Sequence, residues 1–197
     1  MTRSIVAAVT AGILAGYFIA PEALVRSCGA LITGGLCLLL FLVGLDIGRQ
    51  GTILEDIKKV GFRVLLFPVA VIVGTLVFAA ASSLLLPLSP RETMAVASGL
   101  GWYSLAPMLL AEYSASLSAM SFLSNVMREV LSIVLIPFVA KYIGHTECIA
   151  LPAAAAMDTT LPIVVGATSD RIAIYSITSG VVLSFAVPVL VPLVMEL

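Results

Sequence analysis

Residues 148–169 read CIALPAAAAMDTTLPIVVGATS. Ten uncharged residues precede Asp158 and eleven follow it, and about 17–25 apolar residues cross a bilayer core as helix. At about 1.5 Å of rise per residue, Asp158 falls near the bilayer midplane. Pro162 has no N–H for the carbonyl of Asp158, and its ring crowds that carbonyl, so MDTTLP should interrupt the helix at its middle. Thr159 and Thr160 offer hydroxyls to the freed backbone, which lipid cannot satisfy. A carboxylate beside a broken helix at membrane depth points to a binding site for a transported solute or ion.

The rest of the chain supports a membrane setting. Of 197 residues, 61% are hydrophobic and 11% charged, and the mean hydropathy is +1.19. Soluble domains carry roughly 25% charged residues, which excludes an ordinary cytoplasmic enzyme, a nucleic-acid binder and a disordered tail. Charge-free runs cover 4–21, 27–45, 64–90, 93–111 and 172–195, and 113–140 is broken only by Arg128 and Glu129. With 148–169 these predict seven spans: an all-α integral membrane protein, a single transmembrane domain over 1–197 with discontinuous helices. A signal-peptide reading of residues 1–20 fails because further apolar spans follow it rather than a polar domain. Cys28 and Cys37 lie nine residues apart, roughly 13 Å along one helix, too far for a disulfide. With Cys148 they read as free cysteines.

Basic residues set the orientation. A cytoplasmic N-terminus puts Arg3, Arg49, Lys58, Lys59, Arg63 and Arg171 inside, against Arg26, Arg91 and Lys141 outside. Within the loop of residues 48–62, Ile53, Leu54 and Ile57 suggest a short amphipathic helix at the inner interface.

A second weak point is SGLGWYSLAP at 98–107: Gly99 and Gly101 loosen the helix, and Pro107 frees the carbonyl of Tyr103. Trp102, Tyr103 and Ser104 sit beside it, half-way along their span, as pocket candidates rather than interface anchors. Runs 130–139 (VLSIVLIPFV) and 182–191 (VLSFAVPVLV) echo each other faintly.

Ionisable groups at membrane depth cost roughly 2.5–3.5 kcal/mol each and persist by pairing, protonation or use. Arg128 and Glu129 are adjacent, point about 100° apart and so do not face each other. Arg128 is expected to meet a carboxylate such as Asp158, to receive a substrate carboxylate, or to join two helices structurally. Asn125 lies one turn before and extends the polar face, while Asp46 sits at the cytoplasmic end of its span. Asp46, Glu129 and Asp158 against Arg128 leave a net negative site, suited to protons or a cation, and a cationic amino acid fits. No metal-ligand spacing, nucleotide loop or nucleophile with a general base occurs, so neither cofactor nor enzymatic activity is expected. His145 is assigned no function.

The segments LLLFLVGLDIG (38–48), SGLGWYSLAP (98–107), NVMREVLSIVLIP (125–137) and AMDTTLPIV (156–164) together resemble the bacterial lysine exporter family of the LysO type over nearly the whole chain. The resemblance implies a plasma-membrane carrier that expels L-lysine and its analogue thialysine. More distantly it implies the fold of bile-acid and sodium/proton carriers, ten spans in two inverted halves with two broken helices crossing at the centre. Asp158 would then lie in one crossing helix, and the first span, with Gly12 and Gly16, would supply the other. Single-chain members look longer at the N-terminus by about three spans, which leads us to expect a separate small membrane subunit of roughly 100 residues, or a homo-oligomer, as partner.

The expectation is proton-coupled antiport by alternating access. Asp158, Glu129, Arg128, Thr159, Thr160, Tyr103, Trp102, Ser104, Asn125 and Asp46 would serve the substrate or proton, and Pro162, Pro107, Gly99 and Gly101 would set the breaks. The alternatives are a sodium/proton or other organic-solute carrier of the same fold, and a non-transporting scaffold subunit, which has no need of midplane charge. Accessibility tags at both ends of the chain in intact cells should find the C-terminus outside and the N-terminus protected. An internal C-terminus contradicts the seven-span topology.

Overall fold

A computed structural model of the chain describes residues 62–197, together with positions 11, 14–16, 18, 34, 38, 41 and 45. The chain divides into two compact units, Met1–Leu42 and Val43–Leu197. All described positions of the first unit are helical. Asp46, Gly12, Cys28, Cys37 and the amphipathic stretch at 53–57 lie outside the described residues.

In the second unit a 3-10 turn at Phe62–Leu65 leads into α1, Leu66–Ser82. Pro68 is tolerated because it sits in the first turn. The Ser82 and Ser83 hydroxyls donate to the carbonyls of Ala79 and Ala80, each at 2.7 Å, and so add donors for the last carbonyls where the helix ends. Helix α2, Pro90–Ala97, starts on a capping box: Glu92 N–H donates to Ser89 Oγ at 3.2 Å, and Ser89 N–H donates to Glu92 Oε2 at 2.8 Å. The Ser89 N–H and hydroxyl, both donating to the Glu92 carboxylate, hold it below its ordinary pKa. Helix α3, Ala106–Ala111, carries Pro107 in its first turn.

Helix α4, Ala115–Tyr142, has 28 residues, and α6, Asp170–Glu196, has 27, about 40 Å each. Both are long and apolar enough to cross a membrane. Between them lie 3-10 segments at Glu147–Ala150 and Ala153–Met157, then α5, Leu161–Ala167. The described residues are helical or turn, without strands.

The distribution of polarity is the reverse of a soluble protein's. On α4 the buried stripe runs Leu117, Ser121, Asn125, Glu129, Ser132, Ile136, Ala140, polar at its centre. The outward residues include Val134 and Phe138, each 58% exposed, whereas Glu129 is 6% exposed. Contiguous exposed apolar surface of this kind faces lipid or a partner, not water.

Two of the predicted spans take a different form. Run 93–111 is split between α2 and α3. Run 148–169 is not a helix with one break at Pro162; it stays outside α-helical geometry until Leu161, and Pro162 stands in the first turn of α5. Pro152 has no N–H to give the carbonyl of Cys148, which accepts from Leu151 N–H instead, at 3.3 Å, in the 3-10 pattern. Ala153 then adopts φ 52°. The depth of Asp158 therefore does not follow from α-helical rise.

Candidate functional site

The two interrupted stretches meet. Helix α2 ends at Ala97, and after Ser98 and Gly99 the chain passes through Leu100 at φ 47° and Gly101 at φ 92°. Leu100 and Ala153 are non-glycine residues in the left-handed region, which costs each of order 1–3 kcal/mol unless the surroundings impose it. The imposition is visible, because Ala154 N–H donates to Leu100 O at 2.9 Å and joins one turn to the other. The approach is close enough to require glycine at two places. A Cβ on Gly101 would stand 2.6 Å from the Pro152 carbonyl oxygen, and one on Gly99 would strike the Asn125 side chain and lie 2.8 Å from Ala106 Cβ.

Helix α4 braces both turns. Asn125 Oδ1 accepts from Gly101 N–H at 2.7 Å, while its Nδ2 donates to Ser121 O at 2.8 Å and to Ser121 Oγ at 3.1 Å. Arg128 Nε donates to Leu151 O at 2.8 Å and its Nη2 to Ala150 O at 3.1 Å. From the other side Ser176 of α6 donates to Ala156 O at 2.7 Å. Gly180 packs under Met157, whose Cβ would be 2.6 Å from any Cβ there.

Around this junction the candidate residues sort themselves. Tyr103 lies in the electrostatic field of both Glu129 and Asp158, so these three, from three different elements, share one region. Trp102, Tyr103 and Ser104 are half-buried, and Asp158 and Thr159 are exposed. Thr159 N–H donates to the Asp158 carboxylate. Thr160 is buried, and its hydroxyl donates to Ala155 O at 2.9 Å. The observed partners of Arg128 are the backbone carbonyls of Leu151 and Ala150 rather than the carboxylate of Asp158. Within this unit the turn at 98–105 is bonded to 147–160 through Leu100, beside the bonds from Arg128 and Ser176, and Gly16 of the first span sits at a helical position.

Sequence reasoning missed Ser121, Ser176, Gly180 and the Pro152–Ala153 turn. The signal was present for some of them, since small residues at 176, 179, 180 and 184 give the last span one face that backbone can approach closely.

A profile of the lysine exporter LysO family matches residues 6–195. The chain belongs to that family. It is 33% identical over 157 residues to the lysine exporter LysO of Escherichia coli (strain K12), covering 79% of this chain and 52% of that protein. It therefore spans about half the length of that family member. It is 28% identical over 159 residues to a putative lysine exporter of Haemophilus influenzae (strain ATCC 51907 / DSM 11121 / KW20 / Rd), covering 79% of each chain. No solved structure matches significantly.

Glycine geometry gives a direct check of the junction. Gly101→Ala should lower the thermal midpoint of the detergent-solubilised protein by several degrees, since left-handed backbone alone costs Ala about 1–2 kcal/mol. Gly74→Ala, in open space on α1, should not lower it. Equal midpoints for the two variants would show that the turns do not meet as described.

Proposed function

We propose that the chain is a multi-pass plasma-membrane protein that exports L-lysine, together with close analogues such as thialysine, in exchange for protons. The observation that carries this is the grouping of Tyr103, Glu129 and Asp158 beside two interrupted helices. Glu129 is buried and makes no hydrogen bond or ion pair among the described residues, although Arg128 is its neighbour in sequence. A buried carboxylate without a partner in that position is suited to a cationic group. Lysine supplies two ammonium groups, one for each of Glu129 and Asp158, and the Tyr103 hydroxyl is a neutral donor for the substrate carboxylate.

Coupling follows from competition. A carboxylate cannot hold a proton and form an ion pair with an ammonium at once, so proton arrival on one side releases lysine, and proton loss on the other readies the site. Alternating access moves the site between the two faces, with the N-terminus cytoplasmic. The open side at Asp158 and Thr159 is closed within the bilayer by further helices, from elsewhere in the chain, a second copy or a small membrane subunit. Family membership and the two named relatives support lysine as the substrate.

Asp158→Asn and Glu129→Gln should each abolish lysine efflux, and protection against thialysine, in cells lacking other lysine exporters, at unchanged amounts of membrane-inserted protein. Normal efflux from both variants would overturn the assignment. Proton movement driven by sodium and indifferent to lysine would assign the carboxylates to sodium instead.

A further inference from the structure

The two braces on α4 replace bonds that a continuous helix would have made. In an α-helix, Ala150 O and Leu151 O accept from the N–H groups of Ala154 and Ala155. Here Ala154 donates to Leu100 O and Ala155 to Pro152 O. The two carbonyls left over are the ones that Arg128 holds through Nε and Nη2. The first turn shows the complementary case. The α-helical acceptor for Gly101 N–H is Ala97 O, but that carbonyl accepts from Leu100 N–H at 3.1 Å, and Asn125 Oδ1 takes the stranded donor. One side chain stands in for lost donors and the other for a lost acceptor, three residues apart on the same helix, with Glu129 next in sequence.

On the basis of the carrier function above, we propose that Asn125 and Arg128 are positioning residues for the lysine site. They lock both unwound turns to α4, and the bond between Ala154 and Leu100 ties the turns to each other. The locked frame sets how far Glu129 lies from Asp158 and from Tyr103, and with it the length of diamine that the site accepts. Arg128 thus acts on backbone and is not a ligand for the substrate carboxylate. Its planar fork reaches two carbonyls at once, which the single ammonium of a lysine cannot do in the same geometry.

Three measurements on the full chain test this. Without substrate, amide exchange across residues 150–157 should be about tenfold faster in Arg128→Lys, the change for losing one charge-assisted hydrogen bond; unchanged exchange overturns the brace. In competition assays Arg128→Lys and Asn125→Leu should shift the preference for lysine over ornithine, one methylene shorter, whereas a loss of capacity at constant preference means that both residues serve stability alone and overturns positioning. Finally, Arg128→Met should weaken lysine and cadaverine, which lacks a carboxylate, by the same factor. Selective weakening of lysine would make Arg128 a substrate ligand and also overturn the proposal. Because the exchange measurement needs no substrate, failure of the unmodified chain to recognise lysine would refute the carrier function without being confused with failure of the brace.

Discussion

The hydrogen bond from Ala154 N–H to Leu100 O is the joint on which the described unit turns. Interrupting a helix in a water-poor interior strands donors and acceptors, and each stranded group costs roughly 2–7 kcal/mol if left without a partner. Two interruptions placed side by side relieve part of that cost, because the donor stranded at Ala154 meets the acceptor stranded at Leu100. The left-handed backbone at Leu100 and Ala153, and the absence of a side chain at Gly101, are the conformations that let the two turns come within hydrogen-bond distance.

The groups this bond leaves over are taken by α4. Its buried stripe places Asn125 against the first turn and Arg128 against the second, so a single helix face completes the backbone bonding of both. Committing Arg128 to carbonyls has a chemical consequence one residue on. Glu129 is buried without the guanidinium that the sequence sets beside it, which is what the proposed function asks of a carboxylate that takes an ammonium group. Under the proposed function, bracing and binding are two outcomes of the same pair of adjacent residues pointing in different directions.

Much of this was legible in the sequence. SGLGWYSLAP announced an interruption through glycine and proline, MDTTLP marked the second interrupted stretch though not the place of its break, and the charges inside apolar runs singled out Arg128, Glu129 and Asp158. Asn125 was legible as an extension of the polar face, though not as the acceptor for Gly101. The form of the 148–160 stretch was hidden for a physical reason. The run AAAAM after Pro152 has high helix propensity, and beyond the proline it is the long-range bonds to Leu100, Arg128 and Ser176 that hold the stretch out of α-helical geometry. Hydropathy marks a membrane-spanning run without regard to its backbone geometry, so α-helical rise placed Asp158 by a rule that this stretch does not obey. The partner of Arg128 was hidden likewise, since charge arithmetic weighs carboxylates and overlooks carbonyls freed by a break.

The central claim is that one site on this chain takes lysine and protons in exchange. Acid-loaded inside-out membrane vesicles containing the chain test it most directly, because lysine added outside them meets the cytoplasmic face. The account predicts that lysine dissipates the pH gradient in these vesicles, and not in vesicles carrying the Glu129→Gln form. A gradient that lysine leaves untouched, or dissipates equally in both, would contradict it.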